Sequence, residues 1–532
     1  MEGATLNIRH PIPGTHEGCP YDRHPTQDTG EGRTHERHSS THPRHCMRYI
    51  LVALLALCGA CTPAARTAPA PRSSPIAPAL DSVFADPAFA GAHWGVLVKS
   101  VRTGEVIYQR HAEKEFVPAS NMKLLTAAAA LAVLGPDYRF QTTVMAAGPV
   151  VGGVLQGPLV VRGTGDPTLS GRFAPDPRTT FRAWADSLRA HGVTRVAGGI
   201  IGVDSAFSGP GLGAGWAWDD LDATYAAEFG ALQFNEGGLE VQVMPSRTVG
   251  EPGVVILTPP TQYVHIDNRT TTGPPGTPAH VQLTRDASGP GITVTGALPA
   301  DTPYVTLTVA VRDPAAYFLA VLRETLRGAG VAVEGQALPA DEWPTYRTLE
   351  SRLFVSSSPP LREILPAMLK PSQNWIAETL LRAVGREARG VGSGEAGAGV
   401  VDSILRSWQL PAAELRMADG SGLSRYDLLS PRLLVELLID LRQQPNGELF
   451  YTSLPVAGMD GTLANRMTAA PLRGNVHAKT GTLSGIRSLS GYLTTAAGDP
   501  VVFSFIVNNH LRSAAEVDRV TDGALEIIAR GR

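Results

Sequence analysis

Three short motifs, far apart along the chain, constrain this 532-residue protein more than any other feature. They are Ser120-Asn121-Met122-Lys123, Ser372-Gln373-Asn374 and Lys479-Thr480-Gly481. The patterns Ser-x-x-Lys, Ser-x-Asn and Lys-Thr-Gly each occur once, so the set is not selected from many candidates. Each motif alone is more simply explained as a helix cap or a surface turn. The ordered set indicates that the three meet in one site.

The first motif predicts a serine nucleophile with a lysine as its base. Pro118 and Ser120 open an apolar segment that predicts a helix to Leu134, ended by Gly135. Ser120 and Lys123 are three positions apart and would share one helix face. A buried lysine loses its proton more easily and can then activate the hydroxyl. The helix N-terminus would stabilise negative charge that develops there.

The second motif predicts a proton relay and an amide that binds substrate. Ser372 and Asn374 come directly before a predicted helix at 374–385. The Ser372 hydroxyl could pass a proton between Lys123 and a leaving amine. Asn374 carries both a donor and an acceptor, which suits it to hold a substrate amide and to orient Lys123.

The third motif predicts a binding edge for a carboxylate. It lies in a predicted strand at 476–482, before a turn. Lys479, Thr480 and Thr482 would offer a cation and two hydroxyls to a substrate carboxylate. Gly481 would let a substrate backbone approach the strand edge, and the N–H of Thr482 could serve as an oxyanion donor.

The pattern of strands and helices predicts one domain that is split by an insertion. Before residue 140 and after residue 346 the predicted elements are strands at 94–98, 105–108, 476–482, 488–494 and 500–508, and helices at 361–369, 374–385, 400–408, 431–443 and 514–529. The region 141–345 instead has many short strands between Gly/Pro turns, with helices only at 180–190 and 314–328. We therefore predict a multi-domain α/β protein, with 80–140 and 346–532 as one domain and 141–345 as a β-rich insertion of one or two small domains.

The N-terminal residues have the composition of a leader, an export signal and a linker. We interpret Met47 as the true start and 1–46 as a product of start-site choice; a genuine disordered leader is the alternative. Residues 47–61 combine a basic residue, a short apolar run and small residues, which is typical of a secretory signal. Residues 62–79 are a Pro/Ala linker. Cys61 is a candidate lipidation site, with simple cleavage as the alternative. We expect an extracytoplasmic, periplasmic protein whose only membrane attachment would be that lipid.

Composition argues against several other classes. The 46 basic and 49 acidic residues are balanced, so nothing suggests a nucleic-acid partner. All four cysteines lie at or before Cys61, and the histidines after it are scattered, so we expect no metal site and no cofactor. The glycines at 392–397 follow a predicted helix rather than a strand, which excludes a dinucleotide site; we interpret them as a loop.

The three motifs together resemble those of serine acyl-enzymes that act on D-Ala-D-Ala and penicillin-like substrates. The chain is similar to the D-alanyl-D-alanine carboxypeptidase/endopeptidase family of class C, low-molecular-mass penicillin-binding proteins. Further stretches that carry this resemblance are 161–169, 215–220, Tyr225, 231–235, 419–424, 458–462 and 489–492. A long insertion between the first two motifs is also a family feature. Gln373 departs from the pattern, since members often carry Asp; a side chain directed away from substrate would make the change tolerable.

The resemblance implies a serine β-lactamase/DD-peptidase-like transpeptidase domain that acts on peptidoglycan stem peptides through an acyl-enzyme on Ser120. Penicillin and other β-lactams would be covalent inhibitors. Asp419 and Ser421 would line the cleft from a Gly-rich loop, although a plain turn explains them equally well. Two alternatives stay open: a β-lactamase with the same nucleophile, and a non-catalytic lipoprotein that binds the cell wall. The balance of carboxypeptidase and endopeptidase activity is left undecided.

Overall fold

A computed structural model describes residues 75–343 and 350–531. The predicted leader 1–46, the signal 47–61 with Cys61, and most of the linker lie outside these residues. Within the described ranges, no helix is both long and apolar enough to cross a bilayer.

The chain begins with elements of a domain that it completes only at its C-terminal end. These first elements are α1 (Ala77–Phe84), β1 (His93–Ser100), β2 (Val106–Arg110) and α2 (Met122–Val133). The predicted linker at 62–79 was too long, because α1 starts at Ala77. A proline in the first turn of a helix leaves no hydrogen bond unmade, so Pro78 does not prevent this start.

The inserted region follows, and it is rich in β-structure. Its elements are β3 (Gln141–Ala146), β4 (Val150–Val151), β5 (Val154–Leu155), β6 (Leu159–Gly163), α3 (Thr179–Ala190), β7 (Arg195–Val196), β8 (Ile200–Val203), β9 (Gly238–Met244), β10 (Val254–Thr258), β11 (His265–Gly273), β12 (His280–Arg285), β13 (Gly291–Pro299), β14 (Val305–Ala310), α4 (Pro314–Gly328), β15 (Ala332–Val333), β16 (Ala337–Pro339) and β17 (Ser351–Ser357). In the described residues they form sheets in the orders β16-β8-β6-β3-β17, β15-β7-β5-β4, β10-β9-β14 and β11-β13-β12.

The insertion extends beyond the predicted boundary at 345. Strand β17 pairs antiparallel with β3, the first strand of the insertion, so residues 351–357 belong to it. The chain then leaves beside its point of entry: the N–H of Ser358 donates to the carbonyl of Phe140 at 2.9 Å, and the N–H of Phe140 donates to the Ser358 hydroxyl at 2.9 Å. Composition could not reveal this boundary, because the paired residues Ser351 and Ala146 are 205 positions apart.

The C-terminal part completes the split domain. Its elements are α5 (Leu361–Leu369), α6 (Asn374–Arg389), α7 (Gly394–Ser407), β18 (Leu415–Arg416), β19 (Leu428–Leu429), α8 (Pro431–Gln443), α9 (Gly447–Ser453), β20 (His477–Leu483), β21 (Ile486–Thr494), β22 (Pro500–Asn508) and α10 (Ala514–Arg530). The prediction of a loop at 392–397 was wrong, because α7 already starts at Gly394. The Ser393 hydroxyl accepts from the N–H of Ala396 at 3.1 Å and caps this glycine-rich first turn.

An antiparallel sheet of order β2-β1-β22-β21-β20 lies between two layers of helices. Alternate residues of a strand point to opposite faces. Along β22, Phe503 and Phe505 pack in the core with α1 and α10, whereas Val502 and Ile506 pack in the core that includes α2, α6 and α8. This order makes β20 an edge strand, with its free edge beside the N-terminal end of α2.

Candidate active site

Ser120 lies in a tight turn just before α2, rather than in the helix as the sequence predicted. The residues Ala119–Asn121 form a 3-10 turn, and Ala119 has a left-handed φ of 48°. Such a backbone is costly for a residue with a side chain and needs support from its surroundings. Support comes from the sheet, since the Ser488 hydroxyl donates to the carbonyl of Pro118 at 2.6 Å. Ser120 therefore lies on a turn that the sheet fixes.

Lys123 is fully buried and contacts three oxygen atoms. Its Nζ is 2.9 Å from Ser120 Oγ, 2.6 Å from Asn374 Oδ1 and 2.6 Å from the carbonyl of Ser421. Burial lowers the pKa of Lys123 to about 7, although nearby carboxylates oppose the shift. A neutral amine has two N–H donors and one lone pair. The two 2.6 Å contacts take the donors, which leaves the lone pair for the hydroxyl proton of Ser120.

A loop at 418–424 closes over Lys123 and is held by buried carboxylates. Glu378 Oε1 accepts from the N–H groups of Gly420 and Ser421, both at 2.9 Å. Asp419 accepts from the N–H groups of Ser421 at 3.1 Å, Gly422 at 2.6 Å and Ser424 at 2.7 Å. Burial and the charge of Asp419 raise the pKa of Glu378 to about 7. These contacts fix the position of the Ser421 carbonyl, to which Lys123 donates.

Asp419 and Ser421, which the sequence placed at the wall of the cleft, lie beneath it. Their exposed fractions are 1% and 0%, and the residues of this loop that face the cleft are Gly422 and Leu423. A Cβ on Gly422 would stand 1.8 Å from the carbonyl of Ala119, so the loop packs directly on the turn that carries Ser120. The side-chain oxygens of both residues accept from backbone N–H groups of the loop, and Asp419 Oδ2 also accepts from Trp216 Nε1, so these two residues hold the loop together rather than line the cleft.

The second motif faces the first from the start of α6. Ser372 has a left-handed φ of 65°, and its hydroxyl accepts from Lys479 Nζ at 2.7 Å. Asn374 is the first residue of α6. Its Oδ1 accepts from Lys123, and its Nδ2 donates to the carbonyl of Tyr225 at 2.8 Å. Asn374 thus contacts the lysine of the first motif, whereas Ser372 contacts the lysine of the third.

The third motif lies on β20, beside the turn that carries Ser120. A Cβ on Gly481 would meet Ser488 Oγ at 2.2 Å, Pro118 O at 2.8 Å and Ser120 N at 2.9 Å, so only glycine permits this approach. The N–H of Ala478 points to the edge of β20 that faces away from β21, where it donates to the carbonyl of Pro455 at 3.0 Å. Backbone N–H groups alternate between the two edges of a strand, so the N–H of Thr482, four positions later, points to that same edge.

Lys479 is buried next to this edge. Its Nζ donates to the carbonyl of Thr480 at 2.8 Å, besides its contact with Ser372. Burial, followed by the positive charge of Lys123, lowers the pKa of Lys479 well below its ordinary value. A bound carboxylate would reverse part of this effect, since an opposite charge favours the protonated amine. The Thr480 hydroxyl donates to the Thr462 hydroxyl at 2.7 Å.

The motifs share a cleft of about 710 Å³. Its walls come from the insertion, from the 418–424 loop and from β20. The lining residues are Ser120, Gly215, Ala217, Asp219, Asp220, Tyr225, Ser372, Asn374, Gly422, Leu423, Arg425, Thr462, Thr480, Gly481, Thr482, Leu483 and Ser484. In residues 75–343 and 350–531, no group of three or more His, Cys, Asp or Glu side chains could hold a metal ion.

Several site residues were missed by the sequence analysis. Glu378 follows Asn374 by four positions, so helical spacing could have placed it one turn along the same face of α6. Thr462, Asp219 and Asp220 lie in segments that were noticed only as parts of a resemblance. Leu423 likewise lies in such a segment, 419–424. No local signal marks Arg425, because loop packing alone brings it to the cleft.

The comparisons with known proteins agree with this geometry. Residues 76–529 match the D-Ala-D-Ala carboxypeptidase 3 (S13) family. The chain belongs to this family. A D-alanyl-D-alanine carboxypeptidase from Actinomadura sp. is 38% identical over 465 residues, covering 84% of each chain. The D-alanyl-D-alanine carboxypeptidase DacB of Haemophilus influenzae is 28% identical over 427 residues, covering 79% of this chain and 86% of that one.

Solved structures support the same assignment. The crystal structure of penicillin binding protein 4 (dacB) from Haemophilus influenzae has a TM-score of 0.72 and 27% sequence identity, and the match covers 83% of this chain and 97% of that one. The predictions of family, of an α/β penicillin-binding fold and of a hydrolase of the peptidase class are confirmed. This S13-family chain is a D-Ala-D-Ala carboxypeptidase, so the remaining question is which residues perform the reaction.

Proposed function

We propose that Ser120 is the acylated nucleophile of this carboxypeptidase and that Lys123 is its general base. The observation that carries the proposal is the contact of 2.9 Å between Ser120 Oγ and Lys123 Nζ, made by a fully buried lysine with a pKa of about 7. At that pKa a large fraction of the amine is neutral near pH 7 and can take a proton.

In the acylation step, Ser120 Oγ attacks the carbonyl carbon of the penultimate D-Ala of a peptidoglycan stem peptide. Its proton moves to Lys123 as the C–O bond forms. The N–H groups of Ser120 and Thr482 stabilise the oxyanion. The C–N bond then breaks, and the leaving amine takes a proton through Ser372, which lies 2.7 Å from Lys479, or from Lys123. Water hydrolyses the acyl-enzyme and regenerates Ser120.

The terminal carboxylate of the substrate binds at β20 in this proposal. Lys479, Thr480 and Thr482 lie at the free edge of that strand, and Gly481 leaves room for the peptide backbone to approach it. Asn374 holds the substrate amide while it accepts from Lys123. A cross-linked peptide with a D-Ala–diamino acid bond would present the same carbonyl, which is the basis for an endopeptidase activity.

β-Lactams acylate Ser120 in the same way, because their strained amide replaces the D-Ala-D-Ala bond. Peptidoglycan lies outside the cytoplasm, and the segment 47–61 supports export. The mass of the mature N-terminus distinguishes a lipidated Cys61 from simple signal cleavage.

Intact-protein mass spectrometry after incubation with benzylpenicillin tests the nucleophile. We expect one penicillin per wild-type chain and none on Ser120→Ala, because the variant lacks the attacking oxygen. An unmodified wild type with intact drug would contradict the acyl-enzyme and favour a binding role. An unmodified wild type that consumes the drug would favour a β-lactamase.

A further inference from the structure

A segment of the insertion, residues 225–236, lies along the first turns of α6, where the second motif ends. Its hydrogen bonds to α6 are Asn374 Nδ2 to Tyr225 O at 2.8 Å, Trp375 Nε1 to Glu228 O at 3.2 Å, and Gln233 Nε2 to Thr379 Oγ1 at 3.0 Å. The insertion therefore contacts the part of the split domain that carries Ser372 and Asn374.

Glu236, at the end of this segment, is a carboxylate held in a fixed position. Asn235 and Glu236 both have left-handed backbones, with φ of 49° and 55°. The turn is anchored by Asn235, whose Nδ2 donates to the carbonyl of Gly238 at 2.9 Å. Arg172 donates to the Glu236 carboxylate from Nε at 2.6 Å and from Nη2 at 2.9 Å. Such a bidentate pair fixes the direction in which the remaining lone pairs point.

Gln373, the central residue of the second motif, joins this carboxylate to α6. Its Oε1 accepts from the N–H of Trp375 at 3.0 Å and caps the helix. Its Nε2 donates to Glu236 Oε2. The position thus needs an acceptor on one side and a donor on the other, which an amide supplies. A carboxylate at 373 would keep the cap but would face Glu236 with a second negative charge.

The residues on both sides of Gln373 require precise placement. Ser372 has a strained left-handed backbone, which persists only where the surroundings enforce it. Its hydroxyl is 2.7 Å from Lys479 Nζ, and Asn374 Oδ1 is 2.6 Å from Lys123 Nζ. A small rotation of this turn would lengthen both contacts.

We propose that Glu236 and Gln373 are positioning residues, through which the insertion holds Ser372 and Asn374 against the two lysines. The inference rests on the proposed roles of Ser372 and Asn374. It gives the insertion a function in catalysis. It also explains why residue 373 is a glutamine where the family pattern often has Asp, because the partner of this side chain is the carboxylate of Glu236.

An exchange of the two side chains tests the pair. Full-length wild type, Gln373→Glu, Glu236→Gln and the double variant are compared by the second-order rate constant of acylation by benzylpenicillin. We expect Gln373→Glu to lower it ~10-fold or more, because two carboxylates then face each other and the turn shifts. The double variant restores a donor–acceptor pair between 236 and 373, but its amide at 236 can accept only one of the two Arg172 hydrogen bonds. We therefore expect it to be faster than Gln373→Glu by severalfold without reaching the wild-type rate.

A matched control comes from Gln444, whose Nε2 donates to Asp440 Oδ2 at 2.8 Å on α8. Gln444→Glu creates the same repulsion away from the cleft lining and should leave the rate unchanged. With an N-acylated peptide ending in D-Ala-D-Ala, kcat should fall in Gln373→Glu more than KM rises, since the carboxylate edge on β20 is intact. If Gln373→Glu does not fold, Glu236→Gln, which is isosteric, should still lower the rate severalfold.

The outcomes separate the two proposals. A wild type without a penicillin adduct would overturn the proposed function and this inference with it. A reactive wild type with an equally reactive Gln373→Glu, or a double variant no faster than Gln373→Glu, would overturn the inference alone. Rescue in the double variant would support the pair directly, because a general loss of stability would add across the two changes rather than cancel.

Discussion

At the scale of single residues, the site depends on lysines that burial makes less basic. In the proposed reaction Lys123 has to be neutral to take the Ser120 proton, and desolvation favours the neutral form. The carboxylates of Asp419, Glu378 and Asp427 act in the opposite direction and raise the pKa of Lys123. The resulting pKa of about 7 therefore reflects two opposing effects, burial and the nearby carboxylates, and each of them can be changed separately.

Acylation by benzylpenicillin should increase as the pH rises through about 7. The neutral form of Lys123 is the proposed base, so the rate should be lost below its pKa of about 7 and reach a plateau above it. Stopped-flow or quenched measurements of the second-order rate constant between pH 5 and pH 9 would show the midpoint. A rate that is independent of pH across this range would contradict the role of Lys123.

Lys123→Arg should be inactive at every pH, because arginine keeps its proton.

Glu378→Gln should move this midpoint to lower pH. Glu378, whose own pKa is about 7, is partly ionised in this pH range, and its charge is one of the contributions that raise the pKa of Lys123. The amide lacks that charge, so the midpoint should fall. The amide oxygen can still accept from the N–H groups of Gly420 and Ser421, so the 418–424 loop keeps its hydrogen bonds. Glu387→Gln, on the last turn of the same helix, is a control that should leave the midpoint in place. A midpoint shifted to higher pH in Glu378→Gln would contradict the electrostatic argument.

At the scale of elements, the sequence predicted most helices and strands because their apolar periods are strong. Strands β20, β21 and β22 and helices α4, α5 and α8 lie where the pattern placed them, within a few residues. The errors fall where local signals conflict with packing. Glycines at the start of α7 suggested a loop, and a single helix was predicted where the sheet in fact holds Ser120 in a 3-10 turn.

Contacts between distant segments could not be predicted. Gln373 and Glu236 are 137 positions apart, and Lys123 and Ser421 are 298 apart. The residue types of the three motifs, taken together and in order, predict a nucleophile, a base and a cation, although each motif alone is more simply explained as a helix cap or a turn. The supporting residues Glu378 and Glu236 have no such signature, because an acidic residue in an exposed and in a buried setting looks the same in sequence.

Gly481→Ala tests the close approach of β20 to the nucleophile turn. The added Cβ would stand 2.2 Å from Ser488 Oγ and 2.8 Å from the carbonyl of Pro118, so the strand or the turn has to move. We expect a loss of about 1–3 kcal/mol in the free energy of unfolding. Acylation by benzylpenicillin should fall ~100-fold, as it does when reacting groups shift by about 1 Å.

Gly523→Ala is the matched control for that substitution. Gly523 lies within α10, and beyond its chain neighbours and the backbone of its own helix no atom lies within 4 Å of the position that an added Cβ would take, so alanine fits without displacement. Glycine in a helix costs about 0.5–1 kcal/mol relative to alanine, so this variant should melt at a higher temperature and acylate at the wild-type rate. An unimpaired Gly481→Ala would show that β20 tolerates a side chain at this position.

At the scale of the whole molecule, the insertion and the split domain together build the cleft. The insertion enters and leaves through the adjacent residues Phe140 and Ser358. It then returns to the site at several points: Trp216 Nε1 donates to Asp419 Oδ2 at 2.8 Å, and the 225–236 segment contacts α6. The insertion thus touches both the second motif and the loop that closes over Lys123, which makes it part of the active site rather than an appendage.

Acylation should therefore slow amide hydrogen exchange in the insertion as well as in the split domain. A covalent ligand on Ser120 should stabilise α6, and the 225–236 segment is hydrogen-bonded to the first turns of that helix. Hydrogen–deuterium exchange with mass spectrometry, with and without benzylpenicillin, should show added protection in peptides that cover 215–237. Strands β10 and β12 should not change, and Ser120→Ala with the drug should match the drug-free protein. Protection confined to the split domain would mean that the insertion is energetically independent of the site, despite its hydrogen bonds to α6 and Asp419.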